Sequence, residues 1–292
     1  MFRGTFTALV TPFRDGGIDV PAFQKLIEAQ IAAGITGVVA VGTTGESPTL
    51  SHDEREEVIR LAVTIADKRC QVLAGTGSNA THHAVADTKM AEKLGADGAL
   101  LVAPYYNKPS QEGIFRHFRA IAESTRLPIM LYNIPGRCSV DVGADTVVRL
   151  AETCRNIVSI KEASGSVERV SELRGRLPDE FTILSGDDSL TLPFMAVGAV
   201  GVVSVASNLF PTDVCSLVRA FESGDAKTAE KLHRKLFPLF KALFIEPNPV
   251  PVKTALGWRG AMSSEVRQPL CEMSEANQAR LRKALEKFEQ NR

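Results

Sequence analysis

The sequence predicts an α/β fold, a (β/α)8 TIM barrel with a C-terminal helical extension, on three observations. The stretches "GITGVVAVG" (34–42), "GADGALLVA" (95–103) and "GAVGVVSVA" (198–206) share one design, Gly-x-x-Gly followed by a mostly apolar run. The first glycine suits a helix end that needs a left-handed residue, and the run suits a strand. These runs are continuously apolar rather than alternating, as in a parallel sheet covered by helices on both faces. Strand candidates recur about every 28 residues, near the ~31 per unit of a typical eight-unit barrel. An open doubly wound sheet would have fewer strands and a clearer boundary between halves.

Strand starts are predicted near Thr5, Gly37, Gln71, Ala99, Ile129, Ile157, Thr182 and Val202. Helices fill the gaps. Phe23, Leu26, Ile27 and Ile31 lie at helical spacing before Gly34, and Ser51 with Glu54 forms a capping box ahead of Val58, Ile59, Ala62 and Ile65. One face is expected from Ala86, Met90 and Leu94, the next from Phe115, Phe118 and Ala122, and another from Val170, Leu173 and Leu177. Further helices follow, among them "EANQARLRKALEKFEQ". No linker or low-complexity tract interrupts the chain, so residues 1–224 are assigned to the catalytic barrel and 225–292 to an extension of the same domain.

Composition narrows the function. Across 292 residues Lys+Arg and Asp+Glu are equal at 34 each, which gives no electrostatic case for nucleic acid or an anionic membrane and leaves small molecules as partners. The five cysteines are scattered, with no C-x-x-C, which argues for a reducing compartment and against a disulfide framework or zinc site. The opening "MFRGTFTALVTPF" does not read as a signal peptide, and no apolar run approaches the ~18 residues of a membrane span. A cytoplasmic protein is expected.

Barrels of this kind place their chemistry at the C-terminal ends of the strands. Those ends read "GTTGES" (42–47), "GTGSN" (75–79), "PYYNKP" (104–109), "YNIPGR" (132–137), Lys161-Glu162 and "SGDDS" (185–189). They carry hydroxyls, tyrosines, one lysine and one arginine, with no histidine and no metal-ligand spacing. Covalent catalysis without metal or organic cofactor is the expectation. Lys161 ends the apolar run Ile157, Val158, Ile160. It is either a strand-end cation paired with a carboxylate such as Glu162, or a desolvated amine that forms a Schiff base. Gly42 and Gly45 leave the Thr43–Thr44 loop free to turn its N–H groups toward a small anion. Tyr132 is either a core ring or a proton carrier, and Arg137 either a solvated cation or a carboxylate clamp. Two further patterns carry little weight. "GTGSNA" outlines a dinucleotide loop but Asp97 precedes its strand, and His82 and His83 are adjacent and point to different faces of a helix.

The motifs "GTTGES", "GTGSN", "PYYNKPSQEG", "YNIPGR", "IKEAS" and "SGDD", in this order, closely resemble the dihydrodipicolinate synthase family of pyruvate-dependent, Schiff-base class I aldolases. The likeness runs from "GTFTALVTPF" to "EPNPVPVK" (246–253). It implies that Lys161 attacks the keto carbon of pyruvate and that Thr44, Tyr132 and Tyr106 relay protons. Thr43 and Thr44 would hold the pyruvate carboxylate, Arg137 the carboxylate of L-aspartate 4-semialdehyde, and Gly186 and Val203 would line the pyruvate side. Tyr106 would serve a neighbouring subunit, so a homotetramer is implied. A sialic acid (N-acetylneuraminate) lyase or a hydroxy-oxo-acid aldolase would share Lys161 and Tyr132, and Arg137 separates them from this reading. A pyridoxal phosphate barrel would need a phosphate cradle where "SGDDS" places two carboxylates.

Relatives inhibited by L-lysine bind it at a subunit interface. Ser47, His52, Asn79 and Tyr105 match that pattern, but Arg55 replaces a histidine and His83 a ligand-pairing glutamate, while Pro48 stiffens the loop. The missing carboxylate and the added arginine imply weak or absent inhibition.

Overall fold

The computed structural model describes residues 2–290. Eight parallel strands close into a barrel: β1 Gly4–Ala8, β2 Gly37–Ala40, β3 Gln71–Gly75, β4 Gly98–Val102, β5 Ile129–Asn133, β6 Ile157–Glu162, β7 Thr182–Ser185 and β8 Gly201–Ser204. β1 closes the ring by pairing with both β2 and β8. Every strand begins within one residue of its predicted start. A small antiparallel hairpin, Phe13–Arg14 with Gly17–Ile18, follows β1 and lies outside the barrel.

Each strand is followed by a helix: α1 Val20–Ala32, α2 His52–Ala66, α3 Thr81–Lys93, α4 Gln111–Glu123, α5 Ala144–Thr153, α6 Val167–Arg176, α7 Thr191–Ala196 and α8 Pro211–Glu222. The capping box on α2 forms as predicted: the Ser51 hydroxyl accepts from the Glu54 N–H and the Glu54 carboxylate accepts from the Ser51 N–H. Gly34, Gly95 and Gly198 all have positive φ, as their place behind a helix requires.

Helix α3 departs from expectation. Ala86 is exposed, and the buried face is Ala84, Asp87, Thr88 and Ala91. Polar groups occupy half of that face because each finds a partner: Thr88 bonds the Thr76 hydroxyl and the Ala84 carbonyl, and Asp87 pairs with Arg55. Hydrophobic periodicity cannot register a face that is buried by hydrogen bonds.

Among the described residues three more helices follow, α9 Ala226–Ala242, α10 Val250–Trp258 and α11 Glu275–Gln290. Helix α9 packs on α8 and α11, and Leu236, Leu239, Leu281 and Leu285 join the core that surrounds the barrel.

Two cores result. Phe6, Val39, Leu73, Leu100, Met130, Leu184 and Val203 fill the barrel interior, while alternate residues such as Val38, Val72, Ala99, Leu131 and Ile183 face the helices. β6 breaks this alternation. Ile129 pairs with Ile157 but Met130 pairs with Ser159, so Val158 is an extra residue opposite β5. Ile157 and Ile160, three apart, both face the helices, and Val158 packs toward the interior. Unbroken period-two alternation would place Val158 and Ile160 on one face and turn Lys161 outward. The bulge resets the phase, so Lys161 points into the barrel and Glu162 out of it.

Candidate active site

The reset phase brings two of the expected site residues together. Tyr132 on β5 and Lys161 on β6 are register partners, and Lys161 Nζ lies 4.1 Å from the centroid of the Tyr132 ring. Both are buried. Burial pulls the Lys161 ammonium down to about 7; the Asp188 carboxylate opposes that fall and the Arg137 charge adds to it. Burial also pushes the Tyr132 phenol up to about 12, against the Arg137 charge and a hydrogen bond with Thr43. Near neutral pH the pair is a lysine that can shed its proton beside a phenol that keeps its own.

The pairing with Glu162 considered for Lys161 does not occur. Glu162, on the outer face, bonds Arg169 at 2.7 Å, the Asn133 amide and the Ser164 N–H. Gly186 lies against the lysine stem. A Cβ there would stand 3.0 Å from Lys161 Cε and 2.7 Å from Ala163 Cβ, so any side chain would push the amine aside. Val203 belongs to the same interior cluster as Tyr132.

The loop after β2 supplies the hydroxyls. It opens on Val41, whose φ of +58° is rare for a β-branched residue and costs about 1–3 kcal/mol. That conformation turns the Val41 carbonyl against the backbone of Gly75, where a Cβ would collide with it. Thr43 lies beside the Tyr132 phenol, and the two line a cavity of about 30 Å3 with Gly42, Gly77 and Val102. Thr44 is buried, and its hydroxyl accepts from Asn248 Nδ2 at 3.0 Å. Arg137 sits exposed on a short helical turn, Pro135–Cys138, and donates to the Asn248 carbonyl at 3.4 Å. Tyr106 stands apart from these groups on the loop after β4, 88% exposed and with φ of +74°.

The family-wide description of dihydrodipicolinate synthetases matches residues 1–288 of this chain. The chain belongs to the dihydrodipicolinate synthetase family. The 4-hydroxy-tetrahydrodipicolinate synthase of Endomicrobium trichonymphae is 51% identical over 288 residues, which is 99% of each chain. The solved 4-hydroxy-tetrahydrodipicolinate synthase of Methylacidiphilum fumariolicum SolV superposes with a TM-score of 0.99 at 57% identity, covering 99% of this chain and 97% of that one. The dihydrodipicolinate synthase of Aquifex aeolicus gives 0.97 at 50%, covering 99% and 98%.

Two residues of this family member escaped sequence reasoning. Asp188 is buried below the mouth, where its carboxylate accepts from the Val205 and Ala206 N–H groups at 2.9 and 3.0 Å and from the Ser204 hydroxyl. Burial nevertheless raises it to about 6. Asn248 lies more than two hundred positions from Thr44. The pairing of an acidic doublet after β7 hinted at the first, and no local signal marks the second.

The residues matched to a lysine-binding pattern are near one another. His52, Asn79 and Tyr105 line a cleft of about 500 Å3 with Arg55, His83 and Asp87, while the Ser47 carbonyl accepts from Arg55 at 2.9 Å. Arg55 also pairs with Asp87 at 3.1 Å, and His52 Nδ1 lies 3.6 Å from the same carboxylate. The arginine is therefore not the free repelling cation expected from sequence. It is neutralised by a carboxylate that it occupies. Among the described residues no cluster of metal-ligating side chains occurs, and no helix is long and apolar enough to cross a membrane.

Proposed function

We propose that this chain is a 4-hydroxy-tetrahydrodipicolinate synthase, which joins pyruvate to L-aspartate 4-semialdehyde through a Schiff base on Lys161. The observation that carries this reading is a buried lysine brought down to about 7, facing the ring of Tyr132, whose phenol lies beside Thr43. Neutral Lys161 attacks the keto carbon of pyruvate, one of its protons passes to the former carbonyl oxygen, and a second proton from the relay lets that oxygen leave as water, which gives an iminium. The iminium loses a methyl proton and becomes an enamine. The enamine carbon attacks the aldehyde carbon of the second substrate, whose oxygen takes up a proton. The amino group of that substrate then displaces Lys161 from the imine carbon, closing the ring and restoring the free amine.

Each step needs a proton carrier at the mouth. Tyr132, with its proton retained and a threonine hydroxyl beside it, suits that task. Thr43 and Thr44 hold the keto acid's carboxylate, and the exposed fork of Arg137 takes the carboxylate of the aldehyde substrate. Tyr106 has no place in its own site and completes the relay of a neighbour, which supports a homotetramer built from dimers. The five free cysteines suit the reducing cytoplasm, and among the described residues no helix is long and apolar enough to cross a membrane.

Borohydride reduction in the presence of pyruvate is expected to label Lys161 and no other lysine. A stable adduct elsewhere, or full activity in Lys161→Ala, would refute the mechanism. Turnover with L-aspartate 4-semialdehyde in preference to an amino sugar separates the reading from a sialic acid lyase.

A further inference from the structure

The segment after the barrel reaches back to the threonine loop through a fully buried ion pair. Lys253 on α10 and Glu46 in the loop after β2 are 0% and 2% exposed, and Nζ lies 2.6 Å from Glu46 Oε1. The ammonium also donates to the Thr11 carbonyl at 2.9 Å, and the Thr11 hydroxyl donates to the Gly45 carbonyl at 2.7 Å. The second carboxylate oxygen of Glu46 accepts from the Arg267 N–H at 2.9 Å. Both cations lie over the Phe13 ring, Lys253 Nζ at 4.2 Å and the Arg267 guanidinium at 4.1 Å from its centroid.

This cage surrounds a backbone that would not hold its shape alone. Glu46 has φ of +54°, a conformation that a residue with a side chain keeps only when its surroundings over-determine it. Its N–H donates to the Thr43 carbonyl at 3.1 Å, so the turn at Glu46 directly fixes the residue beside Tyr132. An apolar pair of the same volume would fill the space with equal or better stability. It could not at the same time grip the Thr11 carbonyl and the Arg267 N–H. The pair's contribution is directional, and the backbone it directs belongs to Gly45 and Glu46, next to Thr44.

We infer that Glu46 and Lys253 are positioning residues that set the Thr43–Thr44 loop for the carboxylate of the keto acid, so that the helices after the barrel take part in recognising the first substrate. This rests on the Schiff-base reading above, and on that reading neither residue touches the reacting atoms. The effect therefore belongs to pyruvate affinity rather than to the aldehyde.

The decisive variant is the double replacement Glu46→Leu with Lys253→Met, which leaves no unpaired buried charge. With the fold retained by circular dichroism, the KM for pyruvate is expected to rise roughly 10- to 100-fold, the range for losing a charge-assisted, well-oriented contact. The KM for the aldehyde is expected to stay within about twofold, and saturating pyruvate with borohydride should still label Lys161. A merely structural brace would lower the melting temperature without separating the two KM values. An unchanged pyruvate KM in the folded double variant overturns the inference. If that variant does not fold, Glu46→Gln decides, because it keeps the shape and one acceptor oxygen while removing the charge and turning the second acceptor into an NH2 donor. A selective rise of a few-fold in pyruvate KM supports the inference, and no rise overturns it. Failure of the parent enzyme to form any pyruvate adduct would instead remove the Schiff-base reading itself.

Discussion

Burial acts on Lys161 and Tyr132 in opposite senses. It favours the neutral form of each, which lowers an ammonium and raises a phenol. Imine formation should accordingly rise with pH through about 7 and level off above it, read from the rate of borohydride trapping at saturating pyruvate. The same desolvation burdens the fold. A lysine whose folded value lies below its unfolded value binds fewer protons in the native state between about 7 and 10.5, so stability rises with pH across that window. Lys161→Met should therefore stabilise the protein near pH 7 by roughly 2–4 kcal/mol, and the gain should shrink toward pH 10. Thermal melts at both pH values check this, and a variant less stable than the parent at pH 7 would contradict it. Tyr132→Phe keeps the ring above the amine and removes its proton. Its kcat should fall by roughly 10²–10⁴ with the melt unchanged, the usual worth of acid–base catalysis. Arg137→Ala should raise the aldehyde KM while leaving pyruvate trapping intact.

At the scale of elements, the cleft between α2 and α3 tests how a sequence difference becomes a binding difference. Asp87 is the carboxylate present there, and Arg55 occupies it. Millimolar L-lysine should leave the rate within about twofold, since a millimolar constant is only about −4 kcal/mol of binding. His83→Glu adds an unoccupied carboxylate, and Arg55→Ala frees Asp87; each should strengthen inhibition in a steady-state titration. Half-inhibition of the parent well below one millimolar would show that other groups meet the ammonium. Legibility follows the same division. Strand starts, the α2 cap and the mouth residues were readable because they depend on neighbours in sequence: Ser51 with Glu54, or Gly34 behind its helix. Thr88 on Thr76 in the buried face of α3, Asp87 beside Arg55, and Asn248 on Thr44 depend on partners 12, 32 and 204 positions away. The inward turn of Lys161 was hidden for another reason, since period-two reading of β6 points it to the wrong side.

For the whole molecule, the proposed sharing of Tyr106 between subunits is open to a direct test. Tyr106 is held outward by its loop, where Asn107 donates to the Asn79 carbonyl at 2.9 Å, and its ring is almost fully exposed. If Tyr106 serves a neighbour, Tyr106→Phe and Lys161→Ala are each nearly inactive alone. Refolded together, they should regain part of the activity, because some mixed dimers contain one site with both native groups. Recovery no greater than the sum of the separate variants would place Tyr106 outside the relay.

The bulge at Val158 has a consequence for transplantation. Lys161 faces the barrel interior through parity, a count of residues along β6 that is set three positions upstream of the amine. A lysine grafted at equal height onto a regularly alternating strand of another eight-stranded barrel would inherit that strand's parity. Its amine would enter the barrel or the helical shell according to an odd or even count, with identical chemistry in both cases. The portable unit is therefore the five-residue phrase from Ile157 to Lys161, insertion included. A graft of that phrase should trap pyruvate where a graft of the single lysine on an outward-facing position traps none.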